Sequence, residues 1–187
     1  MKGKWLRLTE EKNALDYLEK ASYYIRETET NVLAWKWVIL ALFSALYGFA
    51  ICACKGTSPE WVTYQTKKGK RLISFDRALE ICQDPNRMKV KVFSKSLKLS
   101  RNQKGSIENL HKEFRNYFEH FIPTEWSISV DIMPQIGIDV LDVIRFLALE
   151  TGTFVDLNKS QKKRIKSIVF QSKKILKKAL LTQKLDR

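Results

Sequence analysis

Seventeen consecutive residues, Val38 to Cys54, carry no charge. A chain must hide such a segment in a bilayer or in a protein core, and that choice constrains the fold more than any other feature. A membrane span needs about 20 mostly apolar residues, so this stretch is long enough only if Lys36 snorkels to the interface. Trp35 and Trp37 stand where interfacial aromatics would, and Lys55, Lys67, Lys68, Lys70 and Arg71 would place the C-terminal side in the cytoplasm. The competing reading is the central helix of an all-α domain, apolar all round because its neighbours cover it. Apolar stripes on both sides of it in sequence favour that reading, since they need a partner.

Those stripes predict an all-α bundle of four to five helices, with an irregular excursion and a basic C-terminal helix. Thr9 caps a helix to about Thr28, with Leu15, Leu18, Ala21, Tyr24 and Ile25 at helical spacings. The apolar helix is expected from Thr30 or Asn31 to Lys55, with Gly56 as its stop. Residues 57–97 read as the excursion: Pro59 and the basic run Lys67 to Arg71 indicate loop or a short hairpin, and Ser74 caps a short helix ending before Pro85. Ser100 opens a further helix, stopped by Pro123. Its Ile107, Leu110, Phe114, Tyr117, Phe118 and Phe121 fall within about a 100° arc. His111, Lys112, Arg115, Asn116, Glu119 and His120 lie on the other side or at its edges. Tyr117, Phe118 and the tryptophans are therefore expected in the core. After Trp126, helices follow from about Ile136 to Glu150 and from about Asn158 to Lys184. Residues 1–155 form the expected helical domain and 156–187 the lysine-rich helix.

The formal charge is +14, from 34 Lys and Arg against 20 Asp and Glu, which favours anionic partners, either nucleic acid or a membrane surface. The excess is local. Eleven basic residues and one acid, Asp186, lie from Asn158 onward, so about ten of the charges belong to the last thirty residues. Lys162, Lys163, Arg164, Lys166, Lys173, Lys174, Lys177 and Lys178 are the candidate RNA-binding side chains, set against the plain reading of a solvated helix face. Cys52, Cys54 and Cys82 make no C-x-x-C pair, and His111 and His120 are the only histidines, so no metal site is expected. Three buried thiols in a reducing cytoplasm is the expected state. The N-terminus has no apolar run with a small-residue cleavage site, so export is not expected. Walker, dinucleotide and His-Glu-x-x-His motifs are absent.

One arrangement remains that can carry chemistry: Arg115-Asn116-Tyr117-Phe118-Glu119-His120, an Arg-x4-His spacing with a polar residue after the arginine. Five residues of α-helix separate Arg115 from His120 by about 140°, so one regular helix does not aim both at one atom. Two copies of the helix, or a distorted helix end, would. The plain reading pairs Arg115 with Glu119 at i+4 and leaves His120 as a histidine near the helix C-terminus. His111, one turn before Arg115, reads as a polar-face residue.

The strings LAWKWVILALFSALYGFAICACKGT and LHKEFRNYFEHFIPTEWSI resemble the HEPN superfamily, specifically a bacterial, plasmid-borne branch of stand-alone HEPN proteins, over about residues 14–56 and 97–150. Arg-x4-6-His is the signature of that superfamily. The resemblance implies a helical bundle, a homodimer through the motif helix, and a core position for Val38 to Cys54 rather than a membrane span. It further implies a metal-independent, cofactor-free endoribonuclease with Arg115, Asn116 and His120 as its catalytic set, and a toxin-like or defence role with a protein inhibitor or antitoxin as a further partner. The residue types suit the chemistry. His120 can move a proton near neutral pH, and Arg115 can hold the phosphate oxygens as the ribose 2′-OH attacks. Asn116 can orient either. A non-catalytic HEPN module that binds RNA or a nucleotide is the alternative.

Overall fold

A computed structural model of the chain describes residues 3–56, 58–120, 123, 125–153 and 157–185. The described chain is mostly helical, with one small hairpin. Helix α1 (Glu10–Glu27) starts at Thr9, whose hydroxyl oxygen accepts the Lys12 amide at 3.3 Å, and Glu10 and Glu11 sit at the positive end of its dipole. The turn after it is closed by Asn31, whose Oδ1 accepts the Leu33 amide at 3.0 Å, so α2 (Ala34–Lys55) begins a few residues later than expected. Gly56 ends it at φ +54°, a left-handed geometry that favours glycine.

Helix α2 is the axis of the molecule, with α1, α3, α7 and the motif helix packed against it. It is long and apolar enough to cross a membrane, yet 78% of its most apolar window is buried by this chain's own elements. Leu42, Leu46 and Phe49 are wholly enclosed. The α1–α2 contact is closest at Gly48, where an added Cβ would lie 2.8 Å from the Ala14 Cβ and 3.2 Å from its Cα. Gly48→Ala is therefore expected to destabilise: overpacking costs about 1–3 kcal/mol, only partly offset by the roughly 1 kcal/mol that alanine gains in helix propensity. Gly105→Ala, with nothing within 4 Å of the added methyl, should stabilise instead. Urea midpoints that move in opposite directions for the two variants would confirm this.

The excursion holds a 3-10 turn (Pro59–Val62) and the hairpin β1 (Thr63–Thr66) and β2 (Gly69–Leu72), pairing Thr63 with Leu72 and Thr66 with Gly69 around the expected basic turn. Ser74 caps α3 (Phe75–Gln83), which stops before Pro85, and a single turn, α4 (Pro85–Met88), follows. Cys54 of α2 and Cys82 of α3 meet in the core with their sulfurs 3.3 Å apart, and all three cysteines are buried thiols outside any disulfide.

Helix α5 (Arg101–Glu108) opens with a reciprocal capping box between Ser100 and Gln103 and continues through a π-helical segment (Asn109–Arg115) into α6 (Asn116–Glu119). Its position is set by α7 (Met133–Leu149): the Ser106 hydroxyl donates to Asp139 Oδ2 at 2.6 Å, and Gln135 Nε2 holds Oδ1 at 3.0 Å. Helix α8 (Lys159–Leu185) packs on α1 and α7 and adds Ile165, Val169 and Leu176 to the same core. Ser172 of α8 and Ser22 of α1 share a buried hydrogen bond of 2.9 Å.

Two expectations about the core are corrected. Tyr117 is exposed, stacked on Trp126 at 4.9 Å, whereas Phe118 and Trp126 are half-buried and pack against the core as expected; Phe121 lies outside the described residues, as does the expected boundary at 155 and 156. The cause is the π segment. Its i to i+5 bonding turns the chain less per residue than an α-helix, so an arc drawn at 100° per residue through Ile107, Leu110 and Phe114 is out of phase beyond Arg115. Of the tryptophans, Trp35 is buried, whereas Trp5, Trp37 and Trp61 are exposed.

Candidate functional site

The π segment delivers Arg115 onto α2. The guanidinium carbon stands 5.0 Å from the centre of the Phe43 ring, Nη1 donates to Asn116 Oδ1 at 3.0 Å, and Nη2 is ion-paired with the Glu119 carboxylate. The Arg115–Glu119 pair is the i+4 contact the spacing predicts. The remaining donor, Nε, is buried and has no acceptor among the described residues. An unmade bond of that kind costs about 1–3 kcal/mol.

His120 is placed differently. It follows the last residue of α6 at φ −118° and ψ 53°, with its amide bonded to the Asn116 carbonyl at 2.9 Å, and its side chain is exposed with no partner among the described residues. Arg115 and Asn116 are thus brought together, while His120 is presented to solvent at the end of the helix.

His111 is the residue that the sequence undervalued. It does not lie on an open polar face: its ring stacks on Phe43 at 5.1 Å and 15°, meets Phe75 edge-on at 4.8 Å, and puts Nδ1 3.5 Å from Asp76 Oδ1. His111 and Arg115 therefore rest on the same aromatic ring from one stripe of the helix. Their i+4 spacing was visible in the sequence, but the Phe43 contact comes from α2 and was not.

Burial holds the His111 pKa below the ordinary histidine value; Asp76 opposes this, and the nearby charges of Arg115 and Lys112 reinforce it. A histidine whose folded pKa is depressed binds its proton more readily when unfolded. Its contribution is fully present above the unfolded value of about 6.5 and is lost as pH falls through the interval down to the folded pKa. Urea midpoints for wild type should accordingly drop between pH 7.5 and pH 5.5, and His111→Gln should remove part of that drop. Equal pH slopes in the two proteins would count against the assignment.

The tail residues divide into two sets. Arg164 pairs with Glu19 at 2.7 Å, Lys178 with Glu29 at 3.3 Å, and Lys173 reaches both oxygens of Asp142 at 2.5 and 2.6 Å. Lys162, Lys163, Lys166, Lys174 and Lys177 are exposed. Residue Phe170 in their midst, which the charge count passes over, is 66% exposed. Among the described residues no group of three or more His, Cys, Asp or Glu side chains could hold a metal ion.

As an ensemble, Arg115 supplies a fixed, planar cation, Asn116 a neighbouring amide, and His120 an exposed imidazole. Glu119 occupies the arginine, but a partly exposed ion pair is worth only about 0–1 kcal/mol, so a phosphate can displace it. Compared with family models, curated proteins and solved structures, the chain matches none, so the HEPN resemblance rests on the quoted residues alone.

Proposed function

We propose that the chain is a metal-independent endoribonuclease of the HEPN type, using Arg115, Asn116 and His120. The observation that carries the reading is the ending of the motif helix. A π segment, a feature frequent at functional sites, ends on a half-buried arginine whose Nε has no acceptor among the described residues, and the exposed motif histidine, without a partner among them, follows five residues later. In the proposed reaction His120 moves a proton, as base toward the 2′-OH or acid toward the leaving 5′-oxygen. The 2′-oxygen bonds to phosphorus, the bond from phosphorus to the 5′-oxygen breaks, and a 2′,3′-cyclic phosphate remains. Arg115 holds the phosphorane oxygens once Glu119 is displaced.

The HEPN resemblance supports a homodimer in which two motif helices face each other, so that one chain's arginine works with the partner's His120. A cytoplasmic toxin-like or defence role, restrained by a protein inhibitor, belongs to the same proposal. The second reading, a non-catalytic RNA- or nucleotide-binding module, is favoured by one observation: the Glu119 carboxylate already neutralises Arg115. Incubating RNA in EDTA with wild type and with His120→Ala separates them. Cleavage by the wild type alone supports the nuclease, and intact RNA with retained binding supports the module.

A further inference from the structure

Between α7 and α8 runs a groove of about 700 Å³, floored by Val169 and edged by Arg145, Lys166, Lys173, Lys174 and Lys177, with Asp142 as its one carboxylate. Phe170 stands in this groove. Its ring makes no aromatic contact among the described residues and is 66% exposed, on a helix whose Ile165, Val169, Ser172 and Leu176 are buried. The placement is not a failure of packing. Lys166, Phe170, Lys173 and Lys177 share one face at successive helical turns, each step rising about 4.5–6 Å along the axis, so the ring stands in line between cations. Lys173 is tied down by Asp142, whereas Lys166, Lys174 and Lys177 are exposed and have no carboxylate partner among the described residues.

We infer that this groove binds a single-stranded stretch of RNA, with one unpaired base stacked on Phe170 and the adjoining phosphates on Lys166, Lys174 and Lys177. The choice of RNA rests on the ribonuclease reading; the single-stranded character rests on the ring. A row of lysines alone would suit any polyanion, including a duplex or an acidic protein. An exposed phenyl ring within the row offers a stacking face to a ligand that carries flat apolar faces between its charges, and bases paired inside a duplex are not open to it. The substrate class is thereby narrowed to unpaired RNA, as in loops and open strands. Helix α7 is shared by this groove and by the motif helix, which it holds through Asp139.

The test uses the full-length chain carrying His120→Ala, so that bound RNA stays intact, with fluorescence anisotropy of a labelled ten-nucleotide oligoadenylate and of a ten-base-pair RNA duplex. Phe170→Ala should weaken the single strand about 5- to 150-fold and leave the duplex unchanged, and Phe170→Trp should restore binding. Lys174→Gln with Lys177→Gln should weaken both ligands and lower the single-strand salt slope by about 0.7 per lysine. Phe170 is exposed, so thermal midpoints should not move. Equal oligoadenylate affinities for the Phe170→Ala chain and its parent would overturn the proposal, as would tighter binding of polyglutamate than of oligoadenylate. Failure of the nuclease reading looks different: wild type leaves RNA intact while the Phe170 effect on binding persists.

Discussion

His120→Ala is expected to lower the rate of RNA cleavage in EDTA by about 10²–10⁴-fold, the usual contribution of a positioned proton-transfer group. The fold should not register the change. His120 ends the motif helix with an exposed side chain and no partner among the described residues, so truncating it removes no packing, and such substitutions stay within about 0.5 kcal/mol. His111→Ala serves as the internal contrast. That ring is packed between Phe43 and Phe75, and its loss should lower stability. A large rate loss at an unchanged urea midpoint for His120→Ala, beside a lowered midpoint for His111→Ala, would separate chemistry from structure. Unchanged cleavage by His120→Ala would remove it from the catalytic set.

Phe49→Ala should destabilise the protein by about 3–5 kcal/mol, the usual cost of replacing a fully buried phenylalanine by alanine. Phe49 is 0% exposed, near the middle of the uncharged run on α2, among side chains from the helices that wrap it. For a chain of this length the thermal midpoint should fall by roughly 6–20 °C. The measurement also decides between the two ways of hiding Val38 to Cys54. A core helix loses transfer free energy and leaves a cavity, whereas a helix facing lipid would lose little from one missing ring. A loss below about 1 kcal/mol in detergent-free solution would contradict the packing described.

Much of the bundle was legible because it follows from local chemistry. Thr9, Ser74 and Ser100 cap the helices they were expected to cap, since a hydroxyl in extended backbone satisfies amides two or three residues on. Gly56 ends α2, and the lysine turn forms the hairpin. At the motif, Arg115 with Glu119 was readable from i+4 spacing. The phase of Tyr117 was not, because every angular argument assumed 100° per residue and a π segment intervenes. No residue type announces such a segment, which packs on α2.

By itself, the sequence determined that a 17-residue uncharged run had to be hidden, in a bilayer or in a core, and that apolar stripes on its neighbours were available to cover it. It also determined that the positive charge gathers in the last helix. Both are properties of spacing and composition along one segment. Only the tertiary structure decided what covers α2, that His111 and Arg115 share the Phe43 ring, and that Phe170 is left bare among the lysines. These contacts join residues far apart in sequence, and which side chains meet is set by how the helices pack, not by the pattern within any one of them.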